Sequence, residues 1–415
     1  MVVSEHQTVA ASLPASTEVA IIGGGIVGTF LAWQLTRRGV RDVVVLEQKT
    51  VASGASGKTG ALLRQHYTNP TEAKLAHAGL ETFRQWSDIV GGDCGFVQSG
   101  IVITFPADAT AAENIDRLGR NVAMQRSLGI DSRVLTPGEL QSLQPFVRVD
   151  DLAGAAYEAT SGYVDAIAAT RSVAVAAERG GARVIEQCGA AAIETVGDRI
   201  TGVRTASGIV ATNTVVYAGG AGSIDLLDHV GVRVPVEAIR VQVAIVHRPL
   251  ALDAPHAAFI DIAAGMFCRP WGPGRTLIGL SGGDQHDPVD PARYDERNDP
   301  SYPAKAIAAV GCRMPAMAGA AYLHGHAGLY DMTPDTHPIL GASGRDGLLL
   351  AVGFSGAGFK KAPAVAQCLA ELIVDGRASL VDLAPFRLDR FSDGSWTLPW
   401  SDSEYILASD FGHRF

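Results

Sequence analysis

The clearest pattern in the chain is an apolar region near the N-terminus in which the spacing of hydrophobic positions changes twice. Residues 18–22 form a short, β-branched run without polar alternation, which is typical of a parallel strand buried on both faces. Residues 26–38 then show helical spacing, and Gly39 provides a stop signal for the helix. A second apolar run at residues 42–46 leads into Glu47. The pattern predicts a strand, a helix and a second strand, the repeating unit of an α/β fold.

Glycines occupy defined positions in the first turn of this unit. Gly23, Gly25 and Gly28 have the spacing G-x-G-x-x-G, and Glu47 follows 19 residues after the last of them. The first glycine permits a tight turn, the second lets a pyrophosphate approach the helix N-terminus, and the third permits close packing of helix on strand. An acid after the second strand accepts hydrogen bonds from an adenosine ribose. An ordinary glycine-rich turn is the alternative, but the complete unit favours a dinucleotide site, with NAD and FAD both open.

Further apolar runs predict a larger architecture. A small-residue loop spans residues 52–60, and a helix is predicted for 71–90. Additional strands are predicted at 100–105, 214–222 and 348–352. Three more strands are predicted at 182–185, 190–194 and 200–205, and we expect these three to form a small sheet.

A second glycine-rich turn lies near the C-terminus. Residues 353–360, Gly-Phe-Ser-Gly-Ala-Gly-Phe-Lys, follow the strand at 348–352 and precede a helix predicted for about 362–374. An internal repeat or a plain turn would explain it, but no other repeat is visible. We therefore expect the chain to return to the same cofactor, with the helix N-terminus facing a negative group such as the pyrimidine end of a reduced flavin.

Charge and composition exclude several classes of protein. The chain has 415 residues with 34 Lys and Arg against 43 Asp and Glu, so it lacks the basic surface that nucleic-acid binding requires. Residues 1–17 contain no Lys or Arg, and the uncharged stretch 19–35 is short and glycine-containing, so we expect neither a signal peptide nor a membrane span. Five scattered cysteines without a C-x-x-C pair indicate a reduced, cytoplasmic protein. His324 and His326 have the spacing H-x-H, but the sequence suggests no third metal ligand near them, so no metal is expected.

Taken together, several motifs resemble those of the flavin amine oxidoreductase family that includes D-amino-acid oxidase, glycine oxidase, sarcosine oxidase and dimethylglycine dehydrogenase. They occur in the family's order, from residue 16 to about 390, at residues 20–28, 52–57, 162–165, 215–223, 267–270, 328–335 and 353–360. The resemblance implies an FAD-binding Rossmann-like α/β domain of the glutathione-reductase type, with an α+β substrate domain built on an antiparallel sheet.

The resemblance also implies a discontinuous domain organisation. The FAD-binding domain is expected at 16–95, 150–235 and 325–390, the substrate domain at 96–149 and 236–324, a flexible N-terminus at 1–15 and a C-terminal tail at 391–415. The implied reaction is oxidation of a C–N bond in an amino acid or N-substituted glycine, with hydride transfer to flavin N5, hydrolysis of the imine and reoxidation by O2 to H2O2.

Four residues are candidates for the substrate site. Arg64 and Lys360 match the carboxylate-binding pair of the sarcosine-oxidase branch, and two converging cations would orient a carboxylated substrate. The alternative for Arg64 is a surface salt bridge, and the alternative for Lys360 is a solvated lysine at the start of a helix. Tyr330 stands where glycine and D-amino-acid oxidases place a carboxylate-binding arginine. His66 is a further candidate, with an exposed loop position as its alternative.

The resemblance assigns the flavin to the glycine-rich segments and their neighbours. The expected cofactor-binding residues are Gly23, Gly25, Ile26, Val27, Gly28, Glu47, Gln48, Ser53, Ser56, Gly57, Gly60, Ala61, Ala190, Ala218, Gly219, His337, Gly353, Gly356, Ala357, Gly358, Phe359 and Lys360. The branches with covalent flavin use a cysteine or a histidine at positions that here hold Gly328 and Lys58, so FAD is expected to bind non-covalently.

Departures from the family pattern leave the electron acceptor open. A lysine that promotes the reaction with oxygen in monomeric sarcosine oxidase is replaced near Leu277, and Phe267 lacks the hydroxyl of a substrate-contacting tyrosine. An O2-using oxidase is the leading hypothesis. A dehydrogenase subunit that passes electrons to a protein or quinone is the alternative, and a flavin-binding protein without turnover is a third. The sequence gives no indication of oligomeric state.

Overall fold

The computed structural model describes residues 13–252, 255–281, 287–392 and Tyr405. The predicted flexible N-terminus, 1–15, and the predicted tail, 391–415, therefore lie largely outside the described residues. The strands are β1 Val19–Ile22, β2 Val43–Leu46, β3 Leu62–Leu63, β4 Ile101–Pro106, β5 Ser132–Leu135, β6 Leu152–Glu158, β7 Gly162–Tyr163, β8 Arg183–Ile185, β9 Ala190–Val196, β10 Arg199–Thr205, β11 Gly208–Ala211, β12 Val215–Tyr217, β13 Glu237–His247, β14 Ala258–Asp261, β15 Met266–Pro270, β16 Arg275–Leu280, β17 Ala321–Met332, β18 Ile339–Ala342 and β19 Leu348–Val352. The α-helices are α1 Ile26–Arg37, α2 Ala55–Lys58, α3 Pro70–Arg84, α4 Trp86–Ile89, α5 Ala111–Ser127, α6 Pro137–Leu143, α7 Ala166–Arg179, α8 Asp225–Asp228, α9 Tyr302–Arg313 and α10 Gly358–Asp375.

The first sheet has six strands in the order β18-β19-β12-β1-β2-β8. All neighbours are parallel except β18, which runs antiparallel to β19 at one edge. The chain order reverses between β1 and β12, where Ile22 pairs with Tyr217. Because ligands of open α/β sheets bind outside the carboxyl ends of strands at such a reversal, this edge is the expected binding crevice.

A second, eight-stranded sheet has the order β17-β13-β16-β15-β14-β4-β6-β5. Its pairs are antiparallel apart from β14 with β4. Long strands β13 and β17 run side by side over almost their whole length, from the pair Glu237 and Met332 to the pair His247 and Ala321. Strands β6 and β17 belong to this sheet although the predicted domain boundaries assigned 150–235 and 325–390 to the other domain. The division into domains itself stays a prediction.

Helices cover one face of the six-stranded sheet. Helix α1 is buried from Ile26 to Leu35, and it lies in one apolar cluster with residues of α3, α7 and α10. Gly79 of α3 allows the closest approach, since a Cβ there would lie 1.9 Å from the backbone oxygen of Lys360 in α10. This contact fixes the start of α10 against α3. None of the described helices is long and apolar enough to cross a membrane.

Three predicted elements differ from the structure. The helix predicted for 71–90 is two helices, because the backbone leaves helical geometry at Gln85. The predicted strand at 182–185 does not join the small sheet but extends the six-stranded sheet beside β2, as expected for a strand that follows the crossover helix α7. Residues 208–211 take its place in the small sheet through a hairpin with β10. Helix α10 begins at Gly358 rather than 362 and continues through Pro363, which forgoes one backbone hydrogen bond.

Candidate active site

The first glycine-rich turn connects β1 to α1. Gly23 has φ +112°, a backbone geometry that favours glycine, and a Cβ on Gly28 would lie 2.1 Å from the Gly23 carbonyl oxygen. The helix therefore packs directly on the turn. The backbone N–H of Ile26 donates to Ser56 Oγ over 3.0 Å, so α2 lies against the N-terminus of α1. The positive end of α1 faces a cavity whose wall includes Gly25 and Val27, and this helix N-terminus could hold a phosphate.

Glu47 lies at the carboxyl end of β2, beside this turn. Its Oε2 accepts a hydrogen bond of 2.8 Å from the Gly24 N–H, and its Oε1 accepts one of 2.8 Å from the Lys49 N–H. Two backbone donors thus fix the carboxylate at the cavity wall. A carboxylate in this position can accept hydrogen bonds from ribose hydroxyls.

The cavity is extended and runs along the carboxyl edge of the six-stranded sheet. Its walls include fifteen of the residues predicted from the sequence: Gly23, Gly25, Ile26, Val27, Glu47, Gln48, Ser53, Ser56, Ala190, Ala218, Gly219, Tyr330, Gly356, Gly358 and Phe359. Predicted residues that lie outside the walls are Gly28, Gly57, Gly60, Ala61, Arg64, His66, His337, Gly353, Ala357 and Lys360. Of these, Gly57 packs against the Ala52 carbonyl and Gly60 against the Phe267 ring. They therefore affect the conformation of the loop without lining the cavity.

The second glycine-rich turn lies at the far end of the same cavity. The Gly353 N–H donates to Asp331 Oδ2 over 2.8 Å, and the Ser355 N–H donates to the Asp331 carbonyl over 3.1 Å. A Cβ on Gly356 would lie 2.7 Å from the ring of Tyr330, which therefore contacts the turn directly. Burial raises the pKa of Asp331 above its usual value. The predicted return of the chain to one cavity is the arrangement found.

Backbone strain is concentrated in the loops around the cavity. Five described residues that carry a Cβ have a positive φ, and three of them, Ala52, Ala61 and Ser355, have φ of +67°, +50° and +50° in these loops. Such conformations cost energy and persist only where the surroundings enforce them, which is frequent at functional sites.

Arg64 and His66 lie in the segment between β3 and α3, and both are buried. Strand β3 is fixed by pairing with β7, and Asn69 caps α3 by accepting a hydrogen bond from the Glu72 N–H. Arg64 Nη1 donates to the His66 carbonyl, and its guanidinium lies 4.2 Å from the ring centroid of Tyr67. The exposed-loop and surface-salt-bridge alternatives for these two residues are therefore wrong.

His66 is held in its neutral form. Its Nε2 lies 2.7 Å from the hydroxyl of Tyr405, and the two rings stack. Burial, with a smaller contribution from Arg64, lowers the pKa of His66 to about 3. The imidazole therefore carries no charge at neutral pH and can offer only hydrogen bonds.

Lys360 and Lys361 form a contrasting pair at the start of α10. Lys361 pairs with Glu72, whose Oε2 also lies 2.9 Å from His337 Nδ1. Burial opposes ionisation of Glu72, but Lys361 and His337 hold its pKa well below the usual value. Lys360 has no carboxylate within ion-pair distance among the described residues, and burial, then Arg64 and Lys361, lower its pKa well below the usual value. A solvated lysine is thus excluded, and Lys360 is a buried amine whose protonated form a bound anion would stabilise.

Two of the predicted substrate-site residues, Arg64 and Lys360, lie around one aromatic ring. Arg64, Lys360 and the neighbouring Lys361 lie 4.2, 6.0 and 4.0 Å from the centroid of Tyr67, and His66 precedes Tyr67 in the chain. Tyr330 contacts instead Gly356, in the glycine-rich turn that leads to Lys360. We define Arg64, Tyr67 and Lys360 as the cation cluster.

Glu158, at the end of β6, belongs to the same region but was not predicted. Its carboxylate accepts hydrogen bonds from the Gln65 N–H over 2.9 Å and from Ser161 Oγ over 2.8 Å. Burial raises its pKa to about 7, while these hydrogen bonds and the nearby charges of Arg64 and Lys360 oppose the rise. The available sequence signal was a lone acid at the end of the otherwise uncharged strand Leu152–Glu158.

Arg269 of β15 is a second buried charge that the sequence reading did not single out. Its guanidinium lies between the rings of Tyr163 and Trp271, at 4.3 and 4.5 Å, and Nε donates to the Gly60 carbonyl over 2.5 Å. Burial lowers its pKa to about 10. This contact holds the Gly60 backbone, next to Ala61 with its positive φ.

Residues 18–372 match the family model for the FAD dependent oxidoreductase (DAO) family. The chain belongs to this family. It is therefore an FAD-dependent oxidoreductase, and the α/β fold predicted from the sequence is confirmed.

Curated relatives of this oxidoreductase match over nearly its whole length. Glycine oxidase of Geobacillus kaustophilus is 27% identical over 383 residues, which cover 90% of this chain and 97% of the relative. Human mitochondrial sarcosine dehydrogenase is 27% identical over 397 residues, covering 91% of this chain but 42% of the relative. The chain thus spans less than half of the length of sarcosine dehydrogenase, and the same holds for 4-methylaminobutanoate oxidase of Paenarthrobacter nicotinovorans, of which 46% is covered.

Solved structures share the fold of this oxidoreductase. L-proline dehydrogenase from P. horikoshii superimposes with a TM-score of 0.83 at 27% identity, covering 93% of this chain and 100% of that structure. Glycine oxidase from Geobacillus kaustophilus superimposes with a TM-score of 0.78 at 26% identity, covering 90% of this chain and 99% of that structure.

Within the described part of the chain, no group of three or more His, Cys, Asp and Glu side chains is placed to hold a metal ion.

Proposed function

We propose that this oxidoreductase oxidises the C–N bond of a small amine that carries a carboxylate, such as glycine, sarcosine or a larger N-substituted amino acid. The observation that carries the proposal is the cation cluster, in which buried Arg64 and Lys360 share one aromatic ring and Lys360 has no carboxylate partner among the described residues. An anionic group of the substrate would supply the missing counter-charge. Relatives named glycine oxidase and sarcosine dehydrogenase support this choice of substrate class.

FAD fits the extended cavity and its donors. The N–H groups at the start of α1 would hold the pyrophosphate, Glu47 the adenosine ribose, and the turn at Gly356 and Gly358 the flavin end. FAD when bound accepts a hydride at N5 from the substrate carbon next to nitrogen. The described walls of the cavity contain no cysteine or histidine, which supports non-covalent binding.

Non-covalent attachment has a direct test. After acid precipitation of the yellow protein, we expect the whole flavin absorbance in the supernatant and none in the washed pellet. Flavin retained by the pellet would contradict the proposal. Peptide mapping would then identify the attached residue.

The protein's own side chains would orient the substrate and control its protons. Arg64 and Lys360 would bind the carboxylate and thereby hold the adjacent carbon in a fixed direction. Tyr330, in contact with the flavin-end turn, would line the path of the substrate. His66 would act as a neutral hydrogen-bonding group because its pKa of about 3 excludes a positive charge. The imine product would then take up water and yield a carbonyl compound and a free amine.

Adjacent lysines provide a matched test of the carboxylate site. We expect Lys360→Met to weaken binding of carboxylated amines about 10- to 100-fold, which corresponds to the loss of one charged hydrogen bond. Its stability should be unchanged or higher, since the variant removes a buried cation without a described carboxylate partner. In contrast, Lys361→Met removes a cation that compensates the negative charge of buried Glu72, and it should cost roughly 3–5 kcal/mol of stability.

Two results would contradict this assignment. If Lys360→Met leaves KM unchanged for every carboxylated amine that bleaches the flavin, Lys360 does not bind the substrate. If no amine bleaches the flavin anaerobically in the wild-type protein, the third possibility, a flavin protein without turnover, is favoured. The panel should contain glycine, sarcosine, longer N-substituted glycines and D-amino acids.

A second candidate function is a dehydrogenase that passes electrons to a protein or quinone. Leu277, near which the oxygen-activating lysine of monomeric sarcosine oxidase is replaced, is fully buried in an apolar cluster with Val243 and Ile245. We still propose O2 as the acceptor, with H2O2 as product. Turnover in air with a peroxide assay decides between them: dye-linked activity without peroxide would favour the dehydrogenase.

A further inference from the structure

Tyr67 combines deep burial with an unsatisfied hydroxyl. The residue is 1% exposed, and its Oη has no hydrogen-bond partner among the described residues. Three other buried tyrosines are bonded: Tyr217 Oη donates to the Gly220 carbonyl, Tyr302 Oη to the Gln242 carbonyl, and Tyr405 Oη pairs with His66. A buried hydroxyl without a partner destabilises the protein, so its retention requires a separate reason.

The surroundings of Tyr67 indicate what would pair with it. Tyr67 lies in one apolar cluster with Ala357, in the glycine-rich turn at the flavin end, and with Ala73 and Ala76 of α3. The guanidinium of Arg64 and the ammonium of Lys360 lie 4.2 and 6.0 Å from the ring centroid. A group held by both cations would therefore lie beside the ring that carries this hydroxyl. Because both neighbours are cations, the group favoured there is an anion.

We propose that the hydroxyl of Tyr67 is a substrate-positioning group that donates a hydrogen bond to the carboxylate bound by Arg64 and Lys360. The inference rests on the proposed function and names a third contact for the same anion. A phenol hydroxyl that donates to a carboxylate forms a charge-assisted hydrogen bond. The three contacts together would fix both oxygens of the carboxylate and favour it over an uncharged amide of the same shape.

The conservative variant Tyr67→Phe tests this assignment, since it keeps the ring and its cation contacts. The probes are methoxyacetate, an ether analogue of sarcosine that lacks the amine, and its neutral amide, methoxyacetamide. Binding is followed by the change in flavin absorbance of the FAD-loaded protein. We expect the Kd of methoxyacetate to rise about tenfold or more, the Kd of methoxyacetamide to stay within twofold, and the Tm without ligand to stay equal or rise.

Tyr302→Phe is the matched control because it removes a buried hydroxyl that has partners, the Gln242 carbonyl and the Leu280 N–H. It should lower Tm and leave the Kd of methoxyacetate unchanged. If Tyr67→Phe lowers Tm as much as the control, the hydroxyl has a structural partner and the proposal is wrong. An unchanged Kd of methoxyacetate would also overturn it, and a water molecule would then satisfy the hydroxyl.

Arg64→Gln separates this proposal from the function on which it rests. If Arg64→Gln weakens methoxyacetate binding and Tyr67→Phe does not, the carboxylate site stands and only the role of Tyr67 fails. If neither variant nor Lys360→Met changes the affinity, the carboxylate site itself is contradicted. Substrate kinetics provide a further readout: Tyr67→Phe should raise KM for a carboxylated amine more than it lowers kcat.

Discussion

At the scale of single residues, the site is a balance between buried charges of opposite sign. Burial, with a further contribution from Arg64, lowers the pKa of Lys360, and burial raises the pKa of Glu158 against the opposing charges of Arg64 and Lys360. Both shifts reduce the number of charges in the site, as burial predicts. Binding an anion adds a charge that favours protonated Lys360. Substrate binding and protonation are therefore linked in this site.

Glu158 leads to a prediction about pH. Its pKa of about 7 lies above the ordinary value of 4.5, so the folded protein binds more protons than the unfolded chain between these limits. The free energy of unfolding should therefore fall as the pH rises from 4.5 to 7, by about 3 kcal/mol for this group. In Glu158→Gln this contribution disappears. Urea denaturation of both proteins across this pH range measures the difference.

The same variant should change the pH dependence of carboxylate binding. Above pH 7 wild-type Glu158 becomes negative beside the cation cluster, so the Kd of a carboxylate should rise with pH. In Glu158→Gln the rise should be smaller, with only the deprotonation of Lys360 left to cause it. Parallel pH profiles of stability and of Kd in the two proteins would contradict the assigned pKa.

Residue-level roles were predictable from sequence only where the partners are local. The G-x-G-x-x-G turn and Glu47 lie within one βαβ unit, so their spacing determines their geometry. Glu158 and Gln65 are 93 positions apart, and Lys361 and Glu72 are 289 apart. No local pattern encodes such pairs. Arg64 and Lys360 were found through the resemblance and not through spacing.

At the scale of elements, the contact between α3 and α10 positions Lys360. The two helices approach so closely that Gly79 leaves no space for a side chain beside the Lys360 backbone. Helix boundaries were harder to predict than helix existence. The start of α10 at Gly358, before Pro363, depends on packing against α1 and α3, which the sequence pattern of α10 alone does not contain.

We predict opposite effects for two helical glycines. Gly79→Ala would place a Cβ 1.9 Å from the Lys360 carbonyl oxygen, so the helices must separate, at a cost of about 1–3 kcal/mol and with weaker carboxylate binding. Gly119→Ala in α5 has nothing within 4 Å of the new Cβ and should stabilise the protein by about 0.5–1 kcal/mol. Urea denaturation and the Kd of methoxyacetate measure both effects. Equal stability of the two variants would show that α3 and α10 are not in rigid contact.

At the scale of the whole molecule, the cofactor cavity joins segments that are distant in the chain. Residues near Gly23, Ala218 and Gly356 line one cavity although more than half of the chain separates the first from the last. The sequence predicted this return through its two glycine-rich turns. It did not predict that β6 and β17 belong to the eight-stranded sheet, where β6 pairs with β4 and β5 and β17 pairs with β13, because strand pairing over such separations is set by the complete fold.

This arrangement predicts which part of FAD stabilises which part of the chain. ADP carries only the adenosine and the pyrophosphate, so in protein stripped of flavin it should slow hydrogen exchange at residues 22–28 and 46–48. FAD should in addition slow exchange at residues 353–359, because Phe354, Gly356, Gly358 and Phe359 of this segment line the flavin end of the cavity. At a thousandfold excess over Kd, FAD should stabilise the fold by about 4 kcal/mol.

A single substitution distinguishes the contributions that the two ends of the cavity make to nucleotide binding. Gly356 has φ +80°, and a Cβ there would lie 2.7 Å from the Tyr330 ring, so Gly356→Ala should disturb the flavin end alone. We expect this variant to bind ADP with unchanged affinity, to bind FAD at least tenfold more weakly, and to lose the exchange protection at 353–359. If ADP alone protects 353–359, or if Gly356→Ala weakens ADP as much as FAD, the turn is coupled to the adenosine end and the assignment of the flavin end is wrong. Isothermal titration of the stripped protein with each nucleotide provides the two affinities.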